Sequence, residues 1–299
     1  MASSPGGLRP SAPRSPRAGL PRQDGRTVIV TGASGGLGLQ TARALAASGA
    51  RVVLAVRDTA AGRRAAESVP GATEVRRLDL ASLASVRRFA EAWDRPVGVL
   101  VNNAGVANVP LRRTEDGFEV QFGTNHLGHF ALTCLLLPWV TDRVVTVASN
   151  AHRGARLSLD DPHWERRAYR ASAAYGQSKL ANLLFTLELQ RLLDAAGRPV
   201  RALAAHPGAA STGLNRHLGP VLGAVAAAGR LVMRSPEAGA LPTLYAATRD
   251  LPGAEYVGPG PRRGQPRPAR RSGSAADPVL ARRLWELSER LTAVRFPFG

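Results

Sequence analysis

Lysine is almost absent from this 299-residue chain: of its 40 lysines and arginines, all but Lys179 are arginine. Cysteine is as rare, and the single Cys134 excludes both an internal disulfide framework and a cysteine-based zinc site, which fits a reducing compartment. No stretch reaches the ~18 consecutive apolar residues of a membrane span, and the first residues lack the apolar core of a secretory signal. A cytoplasmic protein with no transmembrane segment is therefore expected. Acids are also few, 22 in all, which leaves a formal charge of +18. Such a charge invites a nucleic-acid reading, so its distribution matters. Met1 to Arg26 holds five arginines against one acid, and Pro261 to Ser272 holds five against none. Both stretches are rich in Pro, Gly, Ser or Ala and read as disorder or loop, so no specific nucleic-acid module is expected. Residues 1–22 are read as a disordered basic extension, although their makeup also resembles an organelle transit peptide.

The lone lysine sits in Tyr175-Gly176-Gln177-Ser178-Lys179. Arginine keeps its proton on a planar fork, whereas lysine is a compact point charge with three donors. Positions i and i+4 share one helix face, so the Lys179 ammonium can bias ionisation of the Tyr175 phenol. A tyrosine acid or base is one reading, and a surface pair on an amphipathic helix is the other. The rest of the chain must decide between them.

Thr27 to Val30 is a β-branched run followed by Thr31-Gly32-Ala33-Ser34-Gly35-Gly36-Leu37-Gly38 and then a helical pattern up to Gly49. In the order strand, glycine turn, helix, glycines let the backbone approach a pyrophosphate, whose charge meets the helix N-terminus. Arg51 to Val56 reads as the second strand, with Arg57-Asp58 at its end. An acid there bonds a ribose 2′-hydroxyl and an arginine accommodates a 2′-phosphate. Arg57 comes first, so NADP is expected, with NAD as the alternative.

The alternation continues through strands near Glu74 to Leu78 and Val97 to Val101, which implies a parallel sheet covered on both faces. Asp79-Leu80 and Asn102-Asn103-Ala104-Gly105 follow these strands, where ligands of such sheets bind. Asp116 to Trp139 reads as one long helix, and Asn125 and Gly128 inside it predict a local bend or an exposed carbonyl. His126 and His129 lack a third ligand of matching spacing, so no metal site is expected. Ser149 ends a strand at Val144 to Ala148, and a helix over Ser172 to Ala196 carries Tyr175 and Lys179. Val200 to Ala205 is a strand ended by His206-Pro207-Gly208, with Thr212 beyond. Residues 209–234 read as a substrate-covering segment, Pro236 to Thr248 as a helix, Glu255 to Val257 as a short strand, 258–276 as a basic loop, and 277–293 as a C-terminal helix.

These motifs, in this order, resemble the short-chain dehydrogenase/reductase superfamily. The runs Asn125-His126-Leu127-Gly128-His129-Phe130 and Gln177-Ser178-Lys179-Leu180-Ala181-Asn182 are similar to its retinol dehydrogenase and WW-domain oxidoreductase-like branch. The resemblance implies an α/β fold: a Rossmann-type doubly wound parallel sheet in order 3-2-1-4-5-6-7, helices on both faces, one domain over 23–299. It also implies hydride transfer between a nicotinamide and a carbonyl or alcohol carbon. Tyr175 would be the general acid/base, Ser149 would bond the substrate oxygen, Lys179 would hold the nicotinamide ribose, and Asn125 would fix a relay water through its main chain. Gly32, Ser34, Gly35, Gly36, Leu37, Gly38, Arg57, Asp79, Leu80, Asn102, Ala104, Tyr175, Lys179, Pro207, Gly208 and Thr212 would bind the cofactor. Helices around Asn125 and Tyr175 commonly pair subunits in this superfamily, so a homodimer is an open expectation.

The apolar Pro220 to Met233 stretch points to a hydrophobic small-molecule substrate. A rival of another class is a regulatory or scaffold protein that binds the cofactor without turnover. Such proteins usually lose a catalytic residue, and here all four positions are filled.

Overall fold

The computed structural model describes residues 19–208, 235–261 and 265–298. Among them lie β1 (Thr27–Thr31), α1 (Gly36–Ala47), β2 (Arg51–Val56), α2 (Thr59–Ala66), β3 (Thr73–Arg77), α3 (Leu83–Glu91) and β4 (Val97–Asn102). A helical run then joins α4 (Val120–Phe122), a π-helical turn at Gly123–Leu127 and α5 (Gly128–Leu136). β5 (Val140–Val147), α6 (Ala171–Ala195), β6 (Arg201–Ala205), α7 (Pro236–Thr248), β7 (Tyr256–Gly258), β8 (Arg267–Pro268) and α8 (Pro278–Thr292) follow.

The strands form one sheet in the order 3-2-1-4-5-6-7-8, parallel except for the final pair. The first seven strands match the expected order. The antiparallel eighth strand lies inside the stretch read as a basic loop, as does a 3-10 turn at Gly273–Ala276. Two residues flanked by prolines and arginines carry no strand periodicity, so pattern reading passes over them. The boundary at residue 22 also shifts. Leu20 packs against the core and Arg249 Nη2 donates to the Gly19 carbonyl at 2.7 Å, so residues 19–22 belong to the packed chain. The remaining extension, the substrate-covering segment 209–234 and Thr212 lie outside the described residues.

Successive strand residues face opposite sides. Val28, Val30, Val52, Leu54, Val99 and Val101 pack under α1 and α7 with Leu45 and Leu244. Ile29, Val53, Leu100 and Val144 face the other side, against Phe130 of α5 and Phe185 of α6. Outside these, α8 lays Trp285 edge-on to Phe130 at 4.8 Å and stacked on Phe185 at 5.8 Å. Burial on both faces is why the strands read as unbroken apolar runs. It also aligns along one edge the strand ends that carry Arg57, Asp79, Asn102 and Ser149.

The long helix expected over 116–139 begins at Val120 and is interrupted. The Gly128 N–H reaches back five residues to the Gly123 carbonyl, which is the signature of a π turn. Gly128 is a glycine because a Cβ there would run into the Leu80 carbonyl, so α5 crosses the end of β3 closely.

Candidate active site

Thr31 ties the glycine turn to the end of β4. Its Oγ1 accepts the Asn103 and Ala104 amides, each at 2.9 Å, while Asn103 Nδ2 donates to the Thr31 carbonyl at 2.7 Å. Two glycines are required by this contact. Gly32 has φ +66° and a Cβ there would lie 2.9 Å from Ala104 Cβ, and at Gly38 it would lie 2.6 Å from the Gly32 carbonyl. A nicotinamide dinucleotide suits the turn. The first turn of α1 has no capping side chain and no acid, whereas Asp58 caps α2 and Ser82 caps α3. Space is open over Gly35 and Gly36, so the free amides and helix dipole of α1 offer a pyrophosphate seat.

Asn125 occupies the π turn and clamps the chain after Gly105. Its Oδ1 accepts the Val106 amide at 2.8 Å, and its Nδ2 donates to the Val106 carbonyl and to Ser178 Oγ, both at 2.9 Å. The side chain is thereby used up, which leaves the main-chain carbonyl to act outward. His129 Nδ1 reaches that carbonyl at 3.0 Å, and His129 Nε2 meets Thr31 Oγ1 at 2.9 Å. His126 Nε2 meets Ser288 Oγ of α8 at 2.9 Å. Both histidines thus serve hydrogen bonding inside the fold.

Lys179 points inward from α6, 3% exposed, and its Nζ donates to the Val147 carbonyl at 2.9 Å. Burial lowers its ammonium to about 8. Nζ stands 5.8 Å from the centre of the Tyr175 ring. The Ser149 side chain neighbours the Tyr175 phenol and is itself placed by capping the turn at Asn150–His152. Burial raises the Tyr175 phenol, and the Ser149 side chain opposes that rise without cancelling it. The sequence leads to the expectation that the Lys179 ammonium biases this ionisation. In this chain alone desolvation of the buried phenol wins.

The remaining candidates line the same edge. Asn102 Nδ2 donates to Thr133 Oγ1 at 2.9 Å, while its buried Oδ1 has no partner. Asp79 Oδ1 accepts the Ala81 amide at 3.0 Å, and Leu80 is buried. Arg57 is exposed at the end of β2, and Asp58 Oδ1 accepts the Ala61 amide at 3.0 Å, which lowers its carboxyl. Beyond β6, the Gly208 amide donates to His206 Nδ1 at 3.2 Å, with Gly208 at φ +72° beside Pro207. Two participants escaped sequence reading: His129, weighed only as a metal ligand, and the Val147 carbonyl, which no side-chain pattern can reveal.

The family model for short chain dehydrogenase matches residues 26–221. Human "Retinol dehydrogenase 13" is 42% identical over 302 residues, covering 91% of this chain and 86% of that one. Mouse "Polyprenol dehydrogenase" is 47% identical over 290 residues, covering 91% and 85%. A crystal structure of a protein from Mycobacterium paratuberculosis superposes with a TM-score of 0.83 at 52% identity, covering 94% of this chain and 98% of its own. The glycine turn, the filled strand-end positions and these matches agree: the chain belongs to the short chain dehydrogenases, NAD(P)-dependent oxidoreductases of alcohol and carbonyl groups.

Proposed function

We propose that Tyr175 is the general acid/base of this oxidoreductase, acting on a hydrophobic alcohol or carbonyl compound with NADP(H) preferred. One observation carries the assignment: a buried ammonium, Lys179, flanks the ring of Tyr175, whose phenol is drawn down by the neighbouring Ser149 side chain. A dinucleotide held by its pyrophosphate at the glycine turn would supply or take up the hydride through its nicotinamide. In the reductive direction the Tyr175 hydroxyl donates its proton to the developing alkoxide, whose oxygen the Ser149 hydroxyl also bonds. Lys179 holds the ribose and stabilises the phenolate left behind. The Asn125 carbonyl, at the π turn, orients the water that returns a proton.

Arg57 supports the NADP preference. It is exposed, whereas the neighbouring carboxylate is engaged in capping α2 and is less free to take a ribose hydroxyl. Retinol and polyprenol, the alcohols in the names of the relatives, are both long and apolar, which supports a hydrophobic substrate. Nicotinamide absorbance followed over a panel of apolar and polar alcohols and aldehydes, run with each cofactor, tests the reading. Turnover confined to short polar substrates would overturn the substrate class, and equal use of NADH would overturn the cofactor preference.

A further inference from the structure

Beside the reacting groups lies a cavity of about 520 Å³ whose walls carry cations and no carboxylate. Arg153, Arg156, Arg167 and Arg170 line it together with Trp164, over a floor of alanines and glycines. Gly176 keeps that floor low, because a Cβ there would come within 2.8 Å of the Ala151 carbonyl. Exposed arginines are common in this chain, so unpaired charge alone distinguishes nothing. Convergence on one cavity does, and so does a buried tryptophan at its wall with a half-buried arginine stacked on it. Trp164, 7% exposed, takes a left-handed backbone at φ +59° and has an Nε1 donor with no partner. The Arg167 guanidinium stacks 3.7 Å above that indole. Its Nε faces Asp161 at 3.3 Å, near enough for an ion pair but not aligned as a hydrogen bond. Among the described residues, ion pairing leaves the other three arginines without a carboxylate.

Arg167 Nη2 donates to Gln177 Oε1 at 2.7 Å and Arg153 Nη2 to the Arg270 carbonyl at 2.8 Å, so these two guanidiniums add charge around the cavity while Arg156 and Arg170 offer their forks to a ligand. Guanidinium forks match the oxygens of phosphate and carboxylate. The cavity also borders the chemistry: Gly176 follows Tyr175, and the Ala151 amide donates to Ser149 Oγ at 3.2 Å. Its volume falls in the range of small-ligand sites. We propose that this cavity is an oxyanion subsite that takes a phosphate or carboxylate group. The group is carried either on one end of the substrate, which rests on the reading of Tyr175 and Ser149 as the reacting centre, or on a free anion.

Calorimetry with inorganic phosphate against chloride at matched ionic strength tests it, on the full chain with NADPH saturating so that the glycine turn is taken. Saturable binding is expected, weakened at least tenfold in the double variant Arg156→Ala/Arg170→Ala. Both side chains are exposed, so that variant should fold. A pair of alcohols differing only by a terminal carboxylate then separates the sources. A KM raised about fivefold or more for the carboxylate member alone, with kcat unchanged, assigns the group to the substrate. Saturable phosphate binding with both KM values unmoved assigns it to a free anion. No saturable binding in the native chain, or equal binding in the double variant, overturns the subsite. The calorimetry involves no turnover, so its failure leaves the role of Tyr175 intact, and failure of that role leaves phosphate binding measurable.

Discussion

His129 Nδ1 donates its proton to the Asn125 carbonyl at 3.0 Å, and this bond fixes the tautomer of the ring. A carbonyl can only accept, so Nδ1 carries the hydrogen and Nε2 is the acceptor. Thr31 Oγ1 already accepts two amides, so its own proton goes to Nε2 at 2.9 Å in preference to the Val101 carbonyl at 3.3 Å. Burial, helped by the Lys179 charge, lowers His129 to about 4 and keeps the ring neutral. The π turn and the glycine turn are thereby joined through one imidazole. His129→Leu would strand the Asn125 carbonyl, at about 1–3 kcal/mol, while the Thr31 hydroxyl falls back on the Val101 carbonyl at 3.3 Å. We expect a lower melting temperature and a fall in turnover on the order of tenfold. His129→Asn, which keeps a donor near the Nδ1 position, should recover part of both.

The same ring predicts acid sensitivity. A histidine whose folded value, about 4, lies below the ordinary 6.5 leaves the unfolded chain to bind protons first. Its contribution to stability is therefore complete above pH ~6.5 and is lost as pH falls toward about 4. Denaturation midpoints across this window should decline less steeply in His129→Asn than in the native chain. Parallel slopes would remove His129 from the account.

Lys179 offers a separation of stability from activity. Its folded value of about 8 lies below the ordinary 10.5, so burying the ammonium opposes folding most below pH 8. That cost disappears as pH rises through the unfolded value and amounts to about 3 kcal/mol at most. The Val147 carbonyl would keep Asn182 Nδ2 at 3.2 Å as a donor in Lys179→Met. That variant should melt several degrees higher near neutral pH and gain little above pH ~10.5, while turnover is abolished. Lys179→Arg keeps the charge but not its shape, and should lose at least about tenfold in turnover.

Tyr175→Phe preserves the ring over which Lys179 lies and removes the proton donor. Turnover is expected to fall by several orders of magnitude with cofactor affinity nearly unchanged, as stopped-flow and equilibrium titration would show. A modest loss would transfer the acid role elsewhere.

Arg57→Ala should weaken NADPH binding by roughly ten- to a hundredfold and spare NADH, the scale of a lost charge-assisted contact. Asp58→Ala should instead act on stability, costing about 1 kcal/mol through the lost cap of α2. Measuring both constants in both variants distinguishes recognition from capping.

Much of this was legible in the chain because parallel strands buried on both faces write themselves as runs such as Val97 to Val101, each followed by its functional residue. Spacing also put Tyr175 and Lys179 on one helix face. What stayed hidden depends on geometry that periodicity does not encode. The Asn125 bend was legible from Asn and Gly in a helix, but its closure by His129 across to Thr31 joins residues 98 apart in sequence. Asp58 stayed open as the alternative ribose ligand to Arg57 because its capping bond to Ala61 is invisible until the helix start is fixed. β8 was hidden because two residues hold no pattern.

With every other cation an arginine, Lys179 is the one side-chain primary amine of the chain, and it is buried. An ammonium near pKa 8 is half amine at mildly alkaline pH, so the group is chemically nucleophilic while being sterically withheld. Amine-directed acylation then has a single internal target, and no competing ε-amine on the surface dilutes the signal. The rate of mass gain at that one position becomes a direct gauge of how open the cleft is, and it should slow as cofactor fills the site.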